Sequence, residues 1–244
     1  MVASLVQSAA AASTVNGPAS VTPTLGGGST QGNLLLLVVA VSSSAGGNPT
    51  ITTPANWTLI SSSNGSNNAT AVFARPLNPG GITSVAVTVN ATNGGAVGAL
   101  FEYSGLGNSI FGQTPEYSNN LNGAGTGLGN VFSQQQVAYI QELNFVAVGF
   151  FVATLTPITT GEFGSNLIPA NNQSSGATNN IRLEVYQGFN PGPTTPFFAC
   201  SFSSGGGAAS VGVRYPGIGY IGRGVGGAVM PLGQQLLNVS TSNG

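Results

Sequence analysis

One stretch of this chain occurs twice, and any fold must accommodate both copies. Sliding the sequence against itself by about 112 positions lays 67–107 on 179–219 without a gap, with roughly a dozen of ~41 pairs identical. The landmarks fall in step. Asn78-Pro79-Gly80 meets Asn190-Pro191-Gly192, Gly94-Gly95-Ala96 meets Gly206-Gly207-Ala208, and Tyr103-Ser104-Gly105 meets Tyr215-Pro216-Gly217. Asn-Pro-Gly suits a tight turn, because Pro fixes φ at the second position and Gly accepts a positive φ at the third. Asn93-Gly94 carries a hairpin-turn signal. A duplicated strand–turn–strand–hairpin unit is therefore expected.

The period within the unit is two. Ala69, Ala71 and Phe73 share one face, as do Val85, Val87 and Val89, and again Val97, Ala99, Phe101 and Tyr103. Three such segments in succession predict an antiparallel sheet with one face buried. The second copy repeats the pattern with Ile181, Leu183 and Val185, then Ala209, Val211, Val213 and Tyr215. Leu34–Val41 is an unbroken apolar run, far too short to span a bilayer, and reads as a strand buried on both faces. Asn144–Val152 matches Asn33–Val41, and Leu167-Ile168 matches Leu59-Ile60. Trp57, between β-forming residues, reads as a core anchor more readily than as a sugar-stacking platform. Gly26-Gly27-Gly28 reads as a flexible joint. The expected fold is all-β: two homologous antiparallel β-sandwich lobes of jelly-roll type, standing apart or fused into one sandwich. Residues 1–107 form the first repeat, 108–219 the second, and 220–244 a C-terminal arm. Residues 107–129 read as a linker, and 131–140 as the counterpart of the N-terminal strands.

Composition decides which chemistry is open to such a chain. Among 244 residues there are four Arg, five Glu and no Lys, Asp or His, for a net charge of −1. No field exists to gather nucleic acid or an anionic membrane. A serine nucleophile would have no His or Lys as base, and five scattered Glu supply no local carboxylate pair, so an enzyme is not expected. No Asp-rich loop exists for calcium, and a single cysteine, Cys200, rules out a thiolate cluster or an intrachain disulfide. No metal or cofactor is expected. Cys200, between Phe198 and Phe202 after one intervening residue on each side, reads as a buried, inert thiol. Gly222–Gly227 lacks the Gly-Lys-Ser/Thr ending of a phosphate loop. The start of the chain lacks the basic n-region of a secretory signal and reads as mature protein.

Low charge also removes the repulsion that keeps monomers apart, which points to life in an assembly. Candidate interface residues are Val229, Met230, Leu232, Leu236 and Leu237 in the arm, with Phe198 and Phe202. The arm is expected to dock by strand addition, on a neighbouring subunit or back along its own second lobe. Glu102 and Arg214 occupy equivalent positions in the two copies and are expected to meet across a pseudo-twofold axis through the closing strands.

Three segments carry a resemblance: Gly32-Asn33 leading into Leu34–Val41, Thr53–Ile60 around Pro54-Ala55-Asn56-Trp57, and Ala99–Gly105. Together they resemble the "GDLLVA…PAGWTLI…AYSG" pattern of β-sandwich proteins encoded by tailed phages, prophages and bacteria, over residues 30–107 and more weakly over 143–217. Asn33 and Asn56 stand where that pattern has Asp and Gly. The matching positions are structural, so no catalytic residue transfers. The resemblance implies a virion component, a capsid cement or decoration protein or a tail decoration, whose partners are a major capsid or tail protein and copies of itself. The alternative it leaves is an extracellular carbohydrate-binding or adhesive module.

Overall fold

The computed structural model describes residues 3–44, 46–75, 78–106, 116–122, 128–131, 142–151, 155–159, 166–171, 181–190, 197–202 and 208–215. Among them every regular element is a strand, and every pairing is antiparallel. The first half contains β1 (Ser4–Val21), β2 (Leu34–Ser42), β3 (Thr50–Ile51), β4 (Thr58–Asn64), β5 (Asn68–Arg75) and β6 (Val87–Ser104). They form one sheet in the order β1-β6-β2-β5-β4, with β3 paired to β6. The second half contains β7 (Glu116–Asn122), β8 (Leu128–Val131), β9 (Glu142–Phe151), β10 (Leu155–Thr159), β11 (Asn166–Asn171), β12 (Ile181–Asn190), β13 (Phe197–Phe202) and β14 (Ala208–Tyr215). Its five-stranded sheet runs β11-β12-β9-β14-β7, and β10-β13-β8 form a separate three-stranded sheet.

The first sheet and the five-stranded sheet stack face to face. β2 lies across from β9, β14 across from β4 and β5, and β12 across from β2 and β6. The layer between them is apolar: Leu34, Leu36, Val38, Phe101 and Tyr103 from one side meet Leu143, Phe145, Leu183, Val213 and Tyr215 from the other. Phe145 stands edge-on to Phe101, with centroids 5.3 Å apart, and to Tyr103 at 6.5 Å. Tyr103 donates a hydrogen bond across the layer to Gln187 Oε1, which satisfies the buried phenol. At the far end of β9 the sheets approach so closely that a Cβ on Gly149 would overlap Ala40 and the Thr70 hydroxyl.

The opposite face of the first sheet is also covered. Leu35, Leu37, Val39, Val41, Ala71 and Phe73 pack with Trp57, Val85, Val87 and Val89 in a second core. The expectation of a single buried face is therefore corrected. Successive residues of β2 enter different cores, and all nine are buried, as the unbroken apolar run required. Trp57 is the core anchor expected of it.

The second core exists because β1 and β6 bend. Their register slips between Val15/Gly17 and Gly94/Ala91, a bulge that includes Asn93 at φ 43°. Such an insertion kinks a strand and raises its twist. Beyond it, the first stretch of β6 pairs with β3, which packs over β2 and β5. Asn93-Gly94 is thus a bend inside a continuous 18-residue strand and not the expected hairpin turn. The end of β2 takes the space a hairpin would need. Ser44 N donates to Thr92 O at 2.8 Å, Ser43 Oγ accepts from Thr92 N at 3.0 Å, and Ser42 Oγ accepts from Gly95 N at 3.1 Å. A Cβ on Gly94 would collide with the Ser42 carbonyl.

Three further expectations change. Residues 107–129 are not all linker, since β7 and the start of β8 lie there; residues 132–141 lie outside the described residues. The Gly26–Gly28 joint is tied down on both sides, by Leu25 N to Thr83 O at 2.7 Å and Ser29 N to Ile82 O at 2.9 Å. Residues 220–244 lie outside the described residues. The Asn78-Pro79-Gly80 turn is as expected, with Gly80 at φ 83°. Asn78 also staples it to the neighbouring loop, accepting from Ser29 Oγ and Gly80 N at 3.0 Å each and donating to Thr30 O at 2.8 Å.

Candidate functional site

The first lobe is open along one side. There β4 is the outer strand of its sheet and β3 the outer strand of the layer above, and each pairs on one side only among the described residues. Between them runs a groove of about 550 Å³. Ala71 and Phe73 of β5 form its floor, Leu59, Ser62 and Asn64 one wall, and Asn48–Ile51 the other, with Gly65 and Ser66 at its end. The hydrogen bond from Asn48 N to Ser66 O at 2.9 Å closes that end. The β4 wall faces the groove because a bulge between Leu59 and Ser61 re-aims the strand. It leaves Leu59 45% exposed, one of two large apolar side chains so placed among the described residues; the other is Val6 on β1.

Among the described residues, none that lines the groove is charged. It offers amides, hydroxyls and an apolar floor, which together suit an uncharged protein segment or a neutral polar ligand. None of its residues was singled out as a site from the sequence. Only the stacking of β3 over β5 brings Asn48–Ile51 and Leu59–Asn64 together.

The residues singled out from the sequence lie elsewhere. Phe198 and Phe202 are on β13, opposite Asn130 of β8 and Leu155 of β10 respectively, and Cys200 pairs with Pro157 and Leu128. Val229, Met230, Leu232, Leu236 and Leu237 lie outside the described residues.

Glu102 does not face the second sheet. Its cross-strand neighbours are Gln7 and Leu35, and Leu35 belongs to the core on the far side of the sheet. The carboxylate accepts from Gln7 Nε2 and Asn33 Nδ2 at 2.6 Å and from Thr30 N at 2.7 Å. Burial pushes the Glu102 carboxyl up, but these hydrogen bonds to its charged form outweigh burial and hold it below the ordinary carboxylate value. Arg214 is register-paired with Glu116 and Asn144 within its own sheet. The expected meeting of Glu102 and Arg214 across the layer is thereby corrected, because Glu102 lies on the face of its sheet turned away from the second sheet.

The second sheet carries a contrasting carboxylate. Burial raises the Glu184 carboxyl above its ordinary value, against the hydrogen bond from Tyr186 Oη at 2.7 Å and the charge of Arg182. Burial likewise raises the Tyr103 and Tyr215 phenols. Asn144 is fully buried, and among the described residues neither its amide nitrogen nor its oxygen has a partner. Among the described residues no three His, Cys, Asp or Glu side chains cluster as a metal site would require, and no helix is long and apolar enough to cross a membrane. No family model matches the chain, and no curated protein matches it.

Proposed function

We propose that this chain is a non-enzymatic structural protein of a phage particle, a capsid cement or decoration protein or a tail decoration, acting through low-charge contacts with a major capsid or tail protein and with its own copies. The observation that carries a binding role is the groove. Among the described residues it joins an apolar floor to polar, uncharged walls on the outer strands β3 and β4, which suits contact with an uncharged protein segment. The virion setting rests on the resemblance in residues 30–107. An internal duplication also belongs to this reading. The order β1-β6-β2-β5-β4 and the order β7-β14-β9-β12-β11 follow the same path when β1, β2, β4, β5 and β6 are equated with β7, β9, β11, β12 and β14. Contacts across the layer obey the same exchange, β5 with β9 answering β12 with β2, and β4 with β7 answering β11 with β1.

Immunogold labelling of the source particle tests the setting, and a NaCl titration of bound chain tests the chemistry. Contacts made by apolar burial and backbone hydrogen bonds barely weaken between low and molar salt. Steep release over that range, or an unlabelled particle, removes the proposal. An extracellular carbohydrate-binding module is the second reading, favoured by Asn48, Thr50, Asn64 and Ser66 around the groove. Saturable binding of neutral oligosaccharides, abolished by Asn64→Ala, would establish it instead.

A further inference from the structure

We propose that β1 is the contact between copies of this chain: two β1 strands pair antiparallel across a two-fold axis at Ala10 and join the first sheets of both copies into one. The inference rests on the assembly role above and names the surface that serves it. Among the described residues β1 pairs with β6 alone, so its other margin is the outer edge of the first sheet. Such an edge templates a further strand unless it is short, charged, bulged or interrupted by Pro. β1 is 18 residues long and contains no charged residue. Its register slips only at Leu5/Gln7 and Val15/Gly17, and Pro18 lies beyond the second slip, so residues 7–15 keep an unbroken and unguarded register. The outer strands of the five-stranded sheet differ. β11 carries Pro169 in mid-strand, and β7 begins at Glu116.

The occupant that fits this edge is its own copy. Backbone donors and acceptors alternate along an antiparallel edge, so the edge is complementary to itself reversed. A two-fold contact sets each side chain near its twin, and a charged edge would then repel itself; β1 has no charge to do so. The axis stands perpendicular to the sheet and keeps each face continuous from one copy to the next, so it passes through a residue and not between two. With the axis at Ala10, that residue meets its twin, Ala9 meets Ala11, and Ser8 meets Ala12, so only small side chains come together. Ala9 and Ala11 pack toward the second core, while Ala10 and Ala12 are exposed on the other face. Val6, also exposed, borders the same stretch. Pairing takes this apolar margin out of water, and copies held side by side in an assembly meet at high effective concentration.

Sedimentation velocity and disulfide trapping on the purified full-length chain decide it. The chain should sediment as a dimer that dissociates on dilution. In a Cys200→Ser background under mild oxidation, Ala10→Cys should link to its own copy. Ser8→Cys and Ala12→Cys should link to each other in a mixture and neither to itself, as the antiparallel register demands. Ala10→Lys sets two like charges on the axis and should weaken the dimer by about tenfold or more, with an unchanged circular dichroism spectrum because Ala10 is exposed. Ala10→Ser should keep the dimer. A monomer at every concentration overturns the inference, leaving the edge to the same chain or to a different protein. A dimer indifferent to Ala10→Lys, or trapping that is equal at all three positions or absent from all of them, overturns it as well. The readout uses purified chain, so its failure is separate from failure to find the protein in a particle.

Discussion

The two halves follow one strand path with different workmanship. In the first, β1 and β6 are 18 residues each and run unbroken from the inter-sheet layer into the second core. In the second, among the described residues, β7 and β14 pair in the five-stranded sheet and β8 and β13 in the separate three-stranded one. The comparison extends to single rows of side chains. Gln7, Glu102 and Leu35 lie abreast in the first sheet, and Glu116, Arg214 and Asn144 lie abreast in the second. Glu102 is held by three hydrogen bonds and Leu35 by a core, whereas Asn144 is buried with nothing to bond. The same backbone plan has thus been finished by different means in each half, and the shared apolar layer is what makes them one body.

The strongest test of that unity is the aromatic contact between the sheets. Phe101→Ala or Phe145→Ala should each cost about 3–5 kcal/mol, the usual loss for a buried Phe. Because the rings touch edge to face, the double variant should cost less than the sum. A single melting transition that falls in all three variants supports a fused sandwich. Two transitions, with each variant lowering only one, would divide the halves. Gly149→Ala comes next. The added methyl must displace Ala40 or Thr70, and overpacking of this kind costs about 1–3 kcal/mol. Combining it with Thr70→Ala should recover part of the loss, since the Thr70 hydroxyl is buried without a partner.

The parts legible beforehand were those where hydrophobicity alternates or runs without a break. β2 could be read as a doubly buried strand because Leu34–Val41 contains no polar residue, and β12 could be read as a strand because Ile181, Leu183 and Val185 alternate with Arg182 and Glu184. β1 could not, since Ala9–Ala12 flanked by Ser and Thr has no contrast between its faces. Asn93-Gly94 misled because a turn propensity is local, while the end of β2 that fills the space belongs to a distant part of the chain. The groove was invisible for the same reason: its walls, Asn48–Ile51 and Leu59–Asn64, are near one another in sequence, yet its floor and shape come from stacked layers.

The two carboxylates sharpen the contrast through pH. Glu102 is depressed on folding, so its contribution is present above the ordinary carboxylate value and is lost as pH falls through its lowered one. Glu184 is raised, so its contribution is present below the ordinary value and is lost as pH rises through the raised one. Glu102→Gln should therefore flatten the acid limb of a stability–pH curve and cost about 1–3 kcal/mol at neutral pH, where Gln7, Asn33 and the Thr30 amide lose a charged acceptor. Glu184→Gln should leave or raise the neutral-pH melting temperature. Urea melts from pH 3 to 8 would show it, and parallel curves for the two variants would mean the halves do not differ in this respect.

The smallest expected effect is a gain, and it bears on the row abreast of Arg214. A buried amide with neither atom bonded costs about 1–3 kcal/mol by comparison with protein mutational data. Asn144 is flanked along β9 by Leu143 and Phe145, which face the inter-sheet layer, so its own side chain turns to the opposite face, in step with Val146 and Val148. The first half meets the same register position with Leu35, fully buried among aliphatic neighbours. Asn144→Leu should consequently raise stability by about 1 kcal/mol, part of the recovered desolvation being spent on the larger side chain. Asn144→Ala should gain less, because it removes the orphaned amide and leaves space behind. A loss in both variants would show that Asn144 answers a polar neighbour, and that this row of the second half is finished by a bond of its own.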